Sequence, residues 1–490
     1  MSATLGQKAA RGVFATGSGQ GARLILQIVS VVVLARLISP GDYGLFAMVT
    51  AVVGIGEILR ELGLSSASIQ AKELSRAQRD NLFWISGGAG LAVSVVVALS
   101  APLLVALYQR PEVLAICLAM APTFLLSGLT AQFRAGLTRD MRFKALVISD
   151  VVCSAAALTI GVVAAALGHG YWALVLQQLS SGVLALVTLV IVSGWLPGGY
   201  DRSAPMGKLV RFGASVLGSQ VLTYVNINAD SVLIGSTYGA RDLGFYNRGL
   251  QLVRTPLNQL RAPFGTVALP VLSRLQDDPR RFMEFVSNAQ LAVACPLLAG
   301  IGWFIASGEA AVRVALGPTW VEATPVIQLI AAGEGLSTLM FMASWMYLSL
   351  GLGNALVRLS VFSLVLKLVL VLFALPLGLV AVAAAGVVGA IIVLPVALWQ
   401  VGRSAGLPTF VLLRQAGGIL AVVTTVSILT AVTVGALDAL ADPLVVLIAA
   451  CVQAAGFALA QLVPPVRRQT LRVWNMLALL RSPEARAPRE

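Results

Sequence analysis

Fourteen apolar stretches, each about 20 residues long, run almost end to end through the 490-residue chain. A helix rises about 1.5 Å per residue, so a stretch of that length crosses about 30 Å of hydrocarbon. With 58% hydrophobic and only 11% charged residues and a mean hydropathy of +0.89, the composition excludes an ordinary soluble domain. A backbone in hydrocarbon must satisfy its polar groups internally, and stretches of this length do so as helices. The expected fold class is therefore an all-α polytopic membrane protein of about 14 transmembrane helices.

The expected spans run 13–35, 43–59, 82–107, 112–133, 145–168, 171–194, 209–236, 243–268, 283–306, 324–350, 355–375, 379–401, 412–437 and 442–463. Nearly everything between them is short loop, which leaves no room for a soluble catalytic domain, and no enzyme is expected. Basic residues gather in alternate loops. Arg76 and Arg79 follow span two, Arg134, Arg139, Arg142 and Lys144 span four, Arg202, Lys208 and Arg211 span six, and Arg274, Arg280 and Arg281 span eight. Lys72 also follows span two, Arg403 and Arg414 follow span twelve, and the intervening loops hold only Arg36, Arg110, Arg241 and Arg313. The positive-inside rule then places both termini in the cytoplasm. The apolar run beginning near residue 13 continues past Arg23 to Ala35 without a small-residue cleavage pattern, so it is expected to stay as the first helix and not to act as a cleaved signal. The net charge of +13 is explained by these loops facing anionic headgroups. The expected partner is the lipid bilayer, with no nucleic acid.

An internal repeat sets the domain plan. Asp42-Tyr43-Gly44-Leu45-Phe46 and Asp242-Leu243-Gly244-Phe245-Tyr246 share a D-x-G-x-aromatic pattern at an offset of 200, which Gln20 and Gln220 keep. Six spans separate the copies, an even number, so the halves are expected to be parallel repeats with a substrate site between them near the midplane. The expected division is an N-terminal lobe over 1–200 (spans one to six) and a C-terminal lobe over 201–403 (spans seven to twelve). An extra helix pair covers 404–463, and a basic cytoplasmic tail covers 464–490.

Polar residues inside the spans form stripes. Thr16, Gln20, Arg23, Gln27 and Ser30 are spaced four, three, four and three, as are Asn247, Gln251, Arg254, Asn258 and Arg261. That spacing aligns each set on one helical face turned to water or protein. A basic residue at the midplane costs about 2.5 to 3.5 kcal/mol. Arg23, Arg254, Arg261 and Lys367 facing lipid would together cost roughly 10 kcal/mol, comparable with a domain's whole stability. Guanidinium forks match phosphate oxygens, while amides and hydroxyls suit sugars. The candidate substrate-binding residues are accordingly Gln20, Arg23, Gln27, Gln251, Arg254, Asn258, Arg261 and Lys367. The alternative for the same cations is pairing with Glu57, Asp150, Asp230 or Glu334 to staple helices. Asp230 and Glu334 are also candidates for ion coupling.

Cys117, Cys153, Cys295 and Cys451 fall singly in four different spans, which gives neither a disulfide framework nor metal-ligand spacing. The lone His169, between Gly168 and Gly170, is expected in a turn. No cofactor is implied, and no G-x-x-x-x-G-K-[ST] motif occurs, so transport would draw on an ion gradient or the membrane potential. Outward movement of an anion from an inside-negative cell gains about 2.3 kcal/mol per charge per 100 mV.

The run Val33-Leu34-Ala35-Arg36-Leu37-Ile38-Ser39-Pro40-Gly41-Asp42-Tyr43-Gly44 and the run Glu61-Leu62-Gly63-Leu64-Ser65-Ser66-Ala67-Ser68-Ile69-Gln70 resemble the opening of Wzx-type polysaccharide flippases. These belong to the multidrug/oligosaccharidyl-lipid/polysaccharide exporter superfamily. Asn228-Ala229-Asp230 to Ile234-Gly235, Gly244-Phe245-Tyr246-Asn247 and Pro256 are similar too. Gly41 and Glu61 depart from the family pattern. The resemblance implies a two-lobed, alternating-access exporter of undecaprenyl-pyrophosphate-linked oligosaccharide across the bacterial inner membrane, for exopolysaccharide, capsule or O-antigen assembly. A polysaccharide polymerase and a chain-length regulator would be its partners. The rivals are a peptidoglycan lipid II flippase, a MATE-type multidrug antiporter that would favour carboxylates over arginines, and an integral glycosyltransferase that would need a large extramembrane loop.

Overall fold

The computed structural model describes residues 21–54, 65, 68, 74–203, 206–437, 440–464 and 467. Gln20, Glu57, most of the 61–70 motif, the tail beyond 467 and the side chains of Ser219, Gln220 and Thr223 lie outside the described residues. Among those described, the chain is helical with no strand.

The helices stand where the apolar spans predict them. In order they are α1 (21–37), α2 (Pro40–Val53), α3 (Arg76–Tyr108), α4 (Glu112–Met120), α5 (Pro122–Arg139), α6 (Phe143–Ala166), α7 (Trp172–Ser193), α8 (Gly207–Tyr238), α9 (Ala240–Arg274) and α10 (Pro279–Ala315). Then follow α11 (Thr324–Ser349), α12 (Gly353–Ala374), α13 (Leu379–Ala405), α14 (Phe410–Gly435) and α15 (Asp442–Ala460). Ten stretches among the described residues are long and apolar enough to cross a membrane, with α4 and α5 forming one of them. Pro122 breaks that rod by removing one backbone donor, while Ala121 keeps helical angles and its carbonyl accepts from the Ser94 hydroxyl at 2.7 Å. Helices α8 and α9 cover the seventh and eighth expected spans without reaching that apolarity, because their polar stripes run along them.

Helix ends follow local chemistry. Ser39 caps α2, accepting from the Asp42 amide at 3.1 Å, and Pro40 opens the first turn with a φ already suited to it. Ser75 and Gln78 form a reciprocal capping box at α3. Gly168 (φ +81°) and Gly170 (φ +53°) turn the chain out of α6, with the His169 amide donating back to Ala164 at 3.1 Å. His169 thus lies in a turn, as expected. The helix at 279–315 is interrupted at Gly308, whose φ of +53° and ψ of −128° are not helical.

The chain forms two compact units, residues 1–248 and 249–490, divided within α9. In the first, α3 packs on α5 and α6 on α7. Gly90 faces Phe124 and Gly128 at the α3–α5 crossing, where small residues let helices approach without a hydrophobic drive from lipid. Phe83, Phe133, Leu137, Leu146 and Leu189 form a buried cluster, against which Trp195 packs edge-on to Phe133 at 5.2 Å. In the second unit, α13 packs on α11, and α14 and α15 pack on α10. Gln453 of α15 accepts from Thr430 at 2.7 Å and donates to Ala299, and Gln415 of α14 bonds Ser287, so the last helix pair is joined to α10 by polar contacts.

The two copies of the internal repeat meet in the first unit. A Cβ on Gly44 would collide with the backbone of Ala240, and one on Gly244 with the carbonyl of Pro40. Pro40 and Ala240, like Gly44 and Gly244, are 200 residues apart, so each motif supplies the glycine against which the other's first turn rests.

Candidate functional site

In the first unit the α1 stripe turns to protein. Arg23 forms an ion pair with Asp150 near the start of α6, and Arg134 of α5 grips the same carboxylate through both terminal nitrogens, at 2.5 and 3.0 Å. Ser30, two turns along α1, meets Gln177 of α7 at 3.2 Å. Gln27 is exposed. Arg134, counted in sequence among the loop cations, is helical because α5 runs on to Arg139.

Asp230 of α8 is buried and accepts from the Tyr246 hydroxyl of α9 at 2.5 Å. Two residues past Tyr246, Arg248 is 4% exposed; it stacks over the Tyr43 ring at 4.3 Å and donates to the carbonyls of Ser30 and Val31. Sequence reasoning passed over Arg248 because it stands one residue off the Asn247 stripe, on another face of α9.

In the second unit α9 and α11 meet through charge. Arg254 donates to Glu334 from its Nε at 2.9 Å and its Nη2 at 2.6 Å. Arg261, two turns further, donates to the Glu334 carbonyl at 2.7 Å and to the Thr338 hydroxyl. The i, i+7 spacing on α9 therefore matches the i, i+4 spacing on α11. Gln251 and Asn258 of the same stripe are exposed, and Lys367 is half-buried on α12.

The first unit thus joins two guanidinium groups to one carboxylate, and the second joins one to the Glu334 carboxylate and another to the backbone and hydroxyl of the same face of α11. The pairing orients each carboxylate and offsets part of the desolvation cost of the charges it joins. Positive charge is in excess at each cluster, which suits the approach of an anionic group.

A family model described as polysaccharide biosynthesis protein matches residues 33–325, more than half of the chain. The chain belongs to that family. Among relatives of this polysaccharide biosynthesis family, the lipopolysaccharide biosynthesis protein WzxC of Escherichia coli is 24% identical over 62% of this chain and 62% of its own length. The teichuronic acid biosynthesis protein TuaB of Bacillus subtilis is 24% identical over 63% and 64%. The succinoglycan biosynthesis transport protein ExoT of Rhizobium meliloti is 26% identical over 64% and 63%. The chain therefore spans less than two thirds of the length of each of these relatives. Its fold is shared with the lipid II flippase MurJ in an inward closed conformation, at a TM-score of 0.71 and 13% identity over 92% of this chain and 99% of that one. It is also shared with an inward-facing multidrug resistance MATE family transporter of the MOP superfamily, at 0.60 and 13% over 78% and 95%.

Proposed function

We propose that this chain is a flippase that moves undecaprenyl-pyrophosphate-linked oligosaccharide across the bacterial inner membrane by alternating access, for exopolysaccharide, capsule or O-antigen assembly. The observation that carries the reading is the pair of clusters in which two arginines share one carboxylate or the helix bearing it. A pyrophosphate brings acceptor oxygens in the geometry that guanidinium forks match, and the exposed Gln27, Gln251 and Asn258 offer amides to the glycan. Membership of a polysaccharide biosynthesis family and the likeness to the succinoglycan biosynthesis transport protein ExoT support the same substrate class. In this reading both termini are cytoplasmic, the N-terminal lobe ends near residue 200, and a polymerase with a chain-length regulator takes up the product.

The experiment is reconstitution of the full chain in proteoliposomes with a fluorescent undecaprenyl-pyrophosphate oligosaccharide in one leaflet. Translocation is expected, together with little or no movement of a cationic drug. Movement of lipid II at an equal or greater rate would transfer the assignment to cell-wall precursor flipping. Asp230 is proposed as an ion-coupling group alongside Glu334. Asp230→Asn is expected to slow gradient-driven turnover while leaving substrate affinity unchanged, and an unaltered rate would remove the relay.

A further inference from the structure

A second polar site lies in the first unit, at the end of the helices that carries Arg139, Arg142 and Arg202. There a cavity of about 590 Å³ opens between the start of α3 and the end of α7, lined by Leu74, Ser75, Arg76, Arg79, Trp195 and Leu196 with Gly194. Gly194 adopts φ +63°, which turns the chain out of α7 and brings Trp195 under α3. The Arg79 guanidinium lies 4.0 Å from the centroid of the Trp195 ring. On α5, Gly136 leaves the space that the guanidinium fills, since a Cβ there would run into it. The wall is fixed by bonds from α3 to the connection after α7. Trp84 donates to the Gly198 carbonyl at 2.8 Å, and Asn81 exchanges bonds with the Asp201 backbone at 2.6 and 2.8 Å. Asp201 is itself turned back, accepting the Ser203 hydroxyl and amide, which hold its carboxyl below the ordinary value.

Arg79 is thus positioned by packing while its N–H groups make no hydrogen bond among the described residues, and its Nε is buried without a partner. Asp80 and Asp140 are its acidic neighbours, and neither lies within ion-pair distance. Arg76, exposed on the same cavity, adds a second cation. A ring-stacked guanidinium with unused donors beside a second arginine, in a preformed cavity, is suited to a tetrahedral oxyanion. Its place beside an aromatic at the basic end of the helices is the level at which lipid headgroups lie.

We propose that this cavity binds the phosphate group of an anionic phospholipid headgroup, as a site separate from the Arg23 and Arg254 clusters. Full-chain protein would be titrated with phosphatidylglycerol, with phosphatidylcholine and with inorganic phosphate, and retained ligand counted by native mass spectrometry. Arg76→Gln, Arg79→Lys and the Arg76→Gln, Arg79→Gln double variant would be compared with the unaltered chain. Phosphatidylglycerol retention should fall on the order of tenfold in the double variant, with Arg76→Gln and Arg79→Lys intermediate, and phosphatidylcholine should show no such dependence. Arg76 is exposed, so its single variant reports on binding without disturbing the packed wall. Inorganic phosphate should neither bind in an arginine-dependent way nor displace the lipid. Arginine-dependent binding of inorganic phosphate alone would assign the cavity to a free anion and overturn the lipid headgroup. Equal phosphatidylglycerol retention by all forms would overturn the site itself.

Discussion

Replacing Gly44 or Gly244 with valine should abolish export and lower the melting temperature of the purified protein by several degrees. At both positions the atoms that a side chain would strike belong to backbone, the Ala240 peptide for Gly44 and the Pro40 carbonyl for Gly244, so no rotamer change relieves the clash. Overpacking against movable side chains costs about 1–3 kcal/mol, and a backbone clash lies at or beyond the upper end of that range. Alanine should show the same effect more weakly. Gly41→Ala is the control, since a Cβ at Gly41 meets nothing closer than the Ser39 hydroxyl at 3.8 Å, and alanine in a helix gains about 1 kcal/mol over glycine. Thermal unfolding should therefore rank Gly41→Ala at or above the unaltered chain and both Gly44 and Gly244 variants below it. Normal stability in Gly44→Val would show that the crossing of the two motifs is dispensable.

The crossing also shows what was legible in the sequence and what was not. The D-x-G-x-aromatic repeat was visible as repetition, and its even spacing by helices was countable. That each glycine serves the other copy's helix was invisible, since it depends on a contact between residues 200 apart. Helix positions were legible because hydrocarbon imposes length and apolarity together. The structure extends those helices by a few residues, as at Arg76–Tyr108 against an expected 82–107, because a polar first turn does not count as apolar. The stripes were legible from their three-and-four spacing, and they face protein at Arg23, Ser30, Arg254 and Arg261. Asp150 and Glu334 stood among the four carboxylates named as pairing partners, and the structure pairs them with Arg23 and Arg254. Which cation meets which was not legible, since Glu334 is 80 positions from Arg254, and Arg134 was hidden by being assigned to a loop. Arg79 and Trp195 belong to segments that look like ordinary interfacial residues until the fold stacks one on the other.

Glu334→Gln should cost about 3–5 kcal/mol of stability, because removing one partner of a largely buried ion pair leaves like charges facing each other. The carboxylate side chain is 14% exposed, and it holds Arg254 by two donors while Arg261 sits on the same turn of α11. With the negative charge gone, two guanidinium groups in one apolar setting repel each other. Adding Arg254→Gln should then recover most of the lost stability, since an amide pair replaces the ion pair and Arg261 is left as the one guanidinium there, still bonded to the residue-334 carbonyl and the Thr338 hydroxyl. Export separates the two roles that the cluster could have. If Arg254 contacts the pyrophosphate, the stabilised double variant remains inserted and abundant yet fails to bind or move the lipid-linked oligosaccharide. If the cluster only staples α9 to α11, the double variant regains transport along with its melting temperature. The expected result is recovery of folding without recovery of transport, with Arg254→Lys intermediate in affinity because an ammonium lacks the bidentate fork. Parallel recovery of melting temperature and flipping rate would confine the cluster to a structural role and leave the anion to be recognised elsewhere in the chain.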